Sequence, residues 1–558
     1  MAIAIAIALS VATCGAFSVF AADPTNYTIT LSKDSSDKAD HTYGAYQLFK
    51  GDLAEVEGKK TLSNIQWGDS IDSSKVDQLL TNLNDIDGLT VAAGSSAATV
   101  AKAIGDASFT NDSVGAQAIA DAFAKALGSP KTTQNTPNAE GKYVLTVPAG
   151  YYLVKDTTAV SGEGAQTRYI LEVVSNVTPT EKASVPTVTK KVKEKNDTTG
   201  SETGWQDAAD YDIGDPVPFQ LTGTLPSTFA DYDTYKVYTF IDTLSKGLTP
   251  PETTGFSIKA DGKDVTSRFS INITDGQDGA HVITISLKAN EDLKTWTDPA
   301  LTKDSKIVVE YSATLNENAV IGTPGNPNTV KLEFTNNPNG EQNGEYGTTP
   351  EDKVVVFTYE IKALKVEADG NAKTQAEYNA LTDAEKADYV KVGDKWQKTK
   401  ALSGAGFTLY KKVPTTVDAS GYKAVGDEVT GATTFEFKGT DAGEYKLVET
   451  TVPAGYNKAE DIEIKVEATY DTDAADPKLI SLTVKPDTAG FVVTTTADSS
   501  STDHITTDGI ITGKVLNQSG AQLPSTGGSG TTMIYIIGVI LLAGAGILLV
   551  TRRRMKAE

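Results

Sequence analysis

The sequence predicts an all-β chain: tandem antiparallel sandwiches carrying small helical inserts. Three observations point there. Short runs alternate Val, Thr, Tyr and Ile with polar residues, clusters of Gly, Pro, Asn and Asp bound them, and one such run is repeated. The runs are Tyr27–Leu31, Tyr169–Val174, Val282–Leu287, Lys306–Tyr311, Val330–Phe334, Lys353–Val366, Ile462–Tyr470, Ile480–Lys485 and Ile510–Leu516. Successive strand side chains point to opposite faces, so each run can turn one face to a core and the other to water.

The inserts follow another period. Between Ser74 and Leu127, Val76-Asp-Gln-Leu-Leu and the stretch Ala116–Leu127 place apolar residues at helical spacing, closed by Gly128; a shorter helical stretch falls between Thr374 and Lys398. The repeat is Ala149-Gly-Tyr-Tyr152-Leu-Val-Lys-Asp156, which returns as Ala442-Gly-Glu-Tyr445-Lys-Leu-Val-Glu449, while Tyr46-Gln-Leu-Phe-Lys50 returns as Phe407-Thr-Leu-Tyr-Lys411. The first and last units are therefore expected to share a sandwich layout. Pro-containing junctions near Thr178–Pro186 and Asn336–Pro350 set the boundaries: a leader over 1–22, a first unit over 23–183, a middle unit over 184–350, a last unit over 351–520 and a terminal segment over 521–558.

Composition narrows the function. Lys and Arg total 50 against 73 Asp and Glu, a net charge of −23 that disfavours nucleic acid as a partner. The one Cys, Cys14, lies in the leader, so disulfides and Cys metal sites are not expected in a mature chain. His41, His281 and His504 have no His-Glu-x-x-His spacing and no partner Cys, so neither a metal nor a cofactor is expected. With no Gly-x-Ser-x-Gly motif or conspicuous carboxylate pair, a surface hydrolase has no support and the chain is not expected to be an enzyme.

The two ends fix the compartment. Ala2–Ala22 is apolar and ends in small residues, with Val19-Phe20-Ala21 as a cleavage signature, the pattern of a secretory signal peptide. Met533–Val550 carries no charge, can span most of a hydrocarbon core, and is followed by Arg552, Arg553, Arg554 and Lys556, which hold the C-terminus inside. Just upstream stand Leu523, Pro524, Ser525, Thr526 and Gly527. This ordered triple of pentapeptide, apolar span and basic tail is similar to the LPxTG cell-wall sorting signal of Gram-positive surface proteins. The resemblance implies cleavage by a sortase between Thr526 and Gly527, a thioester of Thr526 on the enzyme, and transfer to an amine. The expected location is the cell wall or a pilus, with membrane anchoring only before sorting.

The last unit carries a second resemblance. Tyr445-Lys-Leu-Val-Glu449-Thr-Thr-Val-Pro453-Ala-Gly-Tyr456 resembles the E-box of Cna-type B domains, immunoglobulin-like sandwiches of sortase-assembled pilins, and Glu360–Gly370 with Leu402–Leu409 resembles their first strands. The family implies that a first-strand Lys attacks the side-chain amide of a last-strand Asn, assisted by the E-box Glu, leaving an isopeptide bond. Strand parity leaves Lys362 and Lys365 both open; the family pattern, with the Lys before an acidic turn, selects Lys365, with Asn517 as its partner and Glu449 as the acid. The middle unit resembles the second domain of major pilins, implying Lys190, Asp242 and Asn328, with Lys191 and Asn326 as the nearest alternatives. The first unit keeps less of the pattern; Lys33, Asp156 and Asn176 would complete a third set.

Taken together, the chain resembles a major pilin of Gram-positive sortase-assembled pili. That implies identical subunits, sortase and peptidoglycan as partners, accessory pilins as further ones, and an acceptor Lys near the first junction. Lys182 is the candidate, with Lys190, Lys191, Lys193 and Lys195 as alternatives. The competing reading is a non-polymerising LPxTG wall-anchored adhesin; host ligand and species stay open.

Overall fold

The computed structural model describes residues 26–519 apart from 34–36, 57–58, 108, 110–113, 158–159, 161, 167, 180–183, 339–345, 486–490, 494–503, 507 and 518. The first unit is built around a sheet ordered Lys59–Trp67, Tyr43–Val56, Gly150–Asp156, Arg168–Val173. Its central strands are buried on both sides. Tyr43, Ala45, Tyr152 and Val154 face the antiparallel pair Asn26–Leu31 and Tyr143–Pro148, while Tyr46, Leu48, Phe49 and Leu153 face the helical insert. The insert comprises helices Val76–Asn84, Ala97–Asp106 and Val114–Lys125; the first and third lie where the spacing predicts helix, the second is additional, and Leu79, Leu80 and Leu83 form the buried stripe of the first. Ser96 caps the second by accepting the Thr99 amide.

The middle unit is a two-sheet sandwich. One sheet runs Lys263–Asp264, Ser257–Ala260, Lys306–Leu315, Pro216–Thr224, Val188–Val192; the other runs Phe269–Asp275, His281–Leu287, Tyr238–Leu244, Asn326–Phe334, Asp352–Phe357, Ala208–Asp210. Burial alternates residue by residue along Pro216–Thr224, Tyr238–Leu244 and Asn326–Phe334, so the period of two read from the sequence is that of a half-buried strand. Phe219, Leu221, Phe240, Ile285, Val309 and Leu332 fill the space between the sheets.

In the last unit, Tyr359–Ala368 runs parallel to the final strand Ile510–Asn517, with Lys365 opposite Val515 and Glu367 opposite Asn517. The facing sheet holds Gly406–Lys412, Gly443–Thr451, Ile462–Tyr470 and Leu479–Lys485. The insert expected between Thr374 and Lys398 is two short helices, Gln375–Asn379 and Asp383–Lys386, followed by a hairpin of Tyr389–Val392 and Lys395–Ala401.

One expected strand is in fact two. The run Lys353–Val366 breaks at Thr358 into Asp352–Phe357, paired in the middle sheet, and Tyr359–Ala368, paired in the last. The alternation rule fails here because Val354 and Val356 enter the middle core while Val355 and Phe357 enter the last core. A strand apolar on both faces carries no period. An ion cluster also ties these units: Lys411, 4 % exposed at its side chain, lies 2.8 Å from Asp197, 2.7 Å from Asp212 and 2.7 Å from Asp441. Burial opposes its charge, but the three carboxylates outweigh that and hold the amine protonated.

Candidate crosslinking sites

The repeated strand sets the acid of the last unit. Tyr445 anchors it by donating from Oη to the Asp441 carbonyl at 2.9 Å, as Tyr152 donates to the Pro148 carbonyl at 3.0 Å in the first unit. Four residues on, Glu449 turns inward. Its Oε1 lies 2.8 Å from Lys365 Nζ, both side chains fully buried, and its Oε2 accepts the Ala459 amide at 2.6 Å. The ring of Phe407 covers the amine, its centroid 5.3 Å from Nζ.

Asn517 completes the set. It stands two positions beyond Val515 on the core-facing side of the parallel strand, diagonal to Lys365, and is buried. Lys365 Nζ, Glu449 Oε1 and Asn517 Nδ2 are all buried without an aligned hydrogen bond. Such atoms cost about 1–3 kcal/mol each when they lack partners. Burial lowers the Lys365 pKa, with Glu449 partly opposing it. Lys362, the alternative left open by parity, lies on the outer face and pairs with Glu360 and Glu436 at 3.4 and 3.3 Å.

The middle unit assembles Lys190, Asp242 and Asn328, each fully buried. Lys190 Nζ lies 2.5 Å from Asp242 Oδ1, and its backbone amide donates to Asp352 Oδ2 at 2.6 Å. Tyr311 joins the remaining groups, donating from Oη to Asp242 Oδ2 at 2.5 Å and accepting from Asn328 Nδ2 at 2.9 Å. Burial brings the Lys190 pKa down to about 8 against the pull of Asp242, and burial raises that of Asp242 against the pull of Lys190. Both shifts move the pair toward its neutral forms. The neighbours weighed from sequence have other work: Lys191 reaches out to Asp207, while the Asn326 amide bonds backbone atoms of Val320 and Val356.

In the first unit the three candidates stand apart. Lys33 donates to the Ala39 carbonyl, exposed Asn176 accepts the Thr28 amide, and Asp156 faces His41 instead of a Lys. His41 is fully buried between Asp156 Oδ1 at 2.9 Å and Asp37 Oδ2 at 3.1 Å, stacked on Tyr43. Burial would lower its pKa, yet the two carboxylates outweigh that and raise it to about 9. Lys182, the leader and Leu523–Gly527 lie outside the described residues. Sequence reasoning missed Tyr311 and His41. For Tyr311 the signal existed, since a core-facing Tyr in a strand needs a partner for its hydroxyl.

Comparison with known proteins agrees with this architecture. Residues 213–338 match the Gram-positive pilin backbone subunit 2, Cna-B-like domain, residues 388–478 a prealbumin-like fold domain, and residues 516–556 the LPXTG cell wall anchor motif. Sandwich domains ending in that anchor motif define a wall-anchored surface protein of a Gram-positive bacterium. The trypsin-resistant surface T6 protein of Streptococcus pyogenes serotype M6 is 25% identical over 453 residues, 71% of this chain and 74% of that protein. Within the wall-anchored class, the chain is similar to Gram-positive backbone pilins, with a Cna-B-like domain of that kind at residues 213–338 and a prealbumin-like domain at residues 388–478. Among solved structures, the T6 backbone pilin of that organism matches 90% of this chain and 100% of its own at 17% identity and a TM-score of 0.46. The Corynebacterium diphtheriae major pilin SpaA matches 88% and 99% at 13% identity and a TM-score of 0.42.

Proposed function

We propose that this chain is the shaft subunit of a sortase-assembled pilus, with Lys365–Asn517 and Lys190–Asn328 isopeptide bonds formed inside its last and middle units. The observation that carries the reading is the pair of buried sites in which a Lys amine meets a carboxyl group beside an Asn amide. An ammonium has no lone pair to attack with; an apolar site favours proton transfer to the carboxylate and frees the amine. Glu449 and Asp242 then shuttle protons while nitrogen replaces nitrogen on the Asn carbonyl carbon and ammonia leaves. Each bond closes a loop of more than about 100 residues, worth about 4–5 kcal/mol if it restricts the unfolded chain as a disulfide does.

Between subunits, the sorting motif supports transfer of Thr526 to an acceptor amine, for which Lys182 is the proposed residue. Identical subunits are then the principal partners, and the wall is the final attachment. The first test is the intact mass of the ectodomain, residues 22–520, followed by peptide mapping. Two missing ammonias, about 17 Da each from the bond chemistry, with Lys365–Asn517 and Lys190–Asn328 peptides recovered, are expected. An unshifted mass removes the internal bonds. Loss of the ladder of polymers in Lys182→Ala cells, with wall attachment of monomer retained, is the expected result for the acceptor.

A further inference from the structure

The middle unit holds its reacting groups differently from the last. Asp242 uses both oxygens: Oδ1 faces Lys190 Nζ at 2.5 Å, and Oδ2 accepts from Tyr311 Oη at 2.5 Å. The same Oη accepts from Asn328 Nδ2 at 2.9 Å and lies 3.3 Å from Lys190 Nζ. An unbroken line of hydrogen bonds therefore runs from the nitrogen that attacks to the nitrogen that must leave. The Tyr311 ring is fixed between Phe219 and Phe256, with centroids 5.5 and 5.0 Å away. Burial, with the Asp242 charge adding to it, keeps the phenol protonated and able to donate.

We propose that Tyr311 is a catalytic residue of the middle crosslinking reaction, passing a proton from Asp242 to the departing nitrogen of Asn328. This rests on the isopeptide reading above and adds a residue to it. The Nζ lone pair of neutral Lys190 attacks Cγ of Asn328 and the Nζ–Cγ bond forms. Asp242 enters this step protonated at Oδ2 by the proton that left the Lys190 ammonium, and the Tyr311 hydroxyl then turns so that it accepts from Oδ2 and donates to Nδ2. Nζ gives one proton to Asp242 Oδ1, Asp242 gives one from Oδ2 to Tyr311 Oη, and Tyr311 gives its own to Nδ2. The Cγ–Nδ2 bond breaks with its electron pair going to nitrogen, and ammonia leaves. Asp242 and Tyr311 end as they began, and the proton lost by Nζ is the third hydrogen of ammonia.

The relay uses both carboxyl oxygens: Asp242 Oδ1 faces the attacking amine while Oδ2 connects through Tyr311 to the leaving nitrogen, and an amide nitrogen departs only once protonated. In the last unit the second oxygen of Glu449 is taken by the Ala459 amide, and among the described residues no Tyr hydroxyl bonds Glu449 or Asn517. One chain thus carries a site with the relay and a site without it, each the control for the other.

The test follows both bonds in the ectodomain, made in short cell-free translation pulses, quenched in acid and mapped as crosslinked or linear peptides. In Tyr311→Phe, which removes only Oη, the Lys190–Asn328 bond is expected to form about a hundredfold more slowly, while Lys365–Asn517 forms at the wild-type rate. Wild-type rates for both bonds in the variant overturn the relay. Wild-type chain that never forms Lys190–Asn328 overturns the isopeptide reading of the middle unit instead. Because Tyr311→Phe can disturb packing, the second measurement uses wild-type chain in heavy water. A larger solvent isotope effect on the middle bond than on the last is expected, and equal effects overturn the relay.

Discussion

Asp156 in the first unit and Glu449 in the last occupy the same place in a repeated strand, four residues after a Tyr that bonds the same relative carbonyl. Their partners differ. Glu449 meets Lys365 beside an Asn, whereas Asp156 meets His41, with Asp37 on the other side of the ring. An amine can become a nucleophile and end in a covalent bond; an imidazolium between two carboxylates is already fully paired and stays reversible. Under the proposed crosslink, the same buried acid would serve a permanent closure in the last unit and a titratable one in the first.

Replacing the acid breaks the comparison most sharply. Glu449→Gln is expected to leave Lys365 and Asn517 unjoined, restoring about 17 Da to the mass and removing about 4–5 kcal/mol. At about 2–4 °C per kcal/mol for a unit of this size, the calorimetric transition of the last unit falls by about 8–20 °C. A variant that keeps the crosslinked peptide would show that Glu449 is dispensable.

A pH series sharpens the contrast. The folded pKa of His41, about 9, lies above the ordinary 6.5, so its contribution is fully present below pH 6.5 and lost as pH rises through about 9. The shift corresponds to about 3 kcal/mol at about 1.4 kcal/mol per unit. Urea midpoints of the first unit, read by amide exchange on Tyr43–Val56, should fall between pH 6 and pH 10, and His41→Gln should flatten that slope. A first unit equally stable at both ends would show that the imidazolium is not the closure. Lys362→Ala, on the outer face of the strand that carries Lys365, should cost under about 1 kcal/mol and leave the mass deficit intact; a lost deficit would move the reacting amine to Lys362.

Much of this was legible in the sequence because it rests on local pattern. Strand alternation, the helical stripe at Leu79, Leu80 and Leu83, and the E-box around Glu449 are all written in consecutive residues. The choice of Lys365 over Lys362 needed the family pattern, since both faces of Tyr359–Ala368 carry apolar residues; the structure adds the burial that separates them. His41 was not legible, because its acids lie at Asp37 and Asp156, one of them 115 residues away and neither at a metal or catalytic spacing. The break at Thr358 was hidden for a different reason. A strand buried on both sides has no polar face to mark where one domain hands over to the next.

That shared strand has a mechanical meaning. With both proposed bonds in place, a pull along the subunit passes from Lys190 directly to Asn328, runs through the backbone that includes Asp352–Phe357, and crosses from Lys365 to Asn517. The residues between 190 and 328, and between 365 and 517, form closed loops outside the load path. The exposed link is the stretch from Asn328 to Lys365, and it is clamped: Val354 and Val356 are held in one core and Val355 and Phe357 in the other. Tension there would have to shear one strand out of two hydrophobic interiors at once, so the joint between the domains is built to resist extension without a third covalent bond.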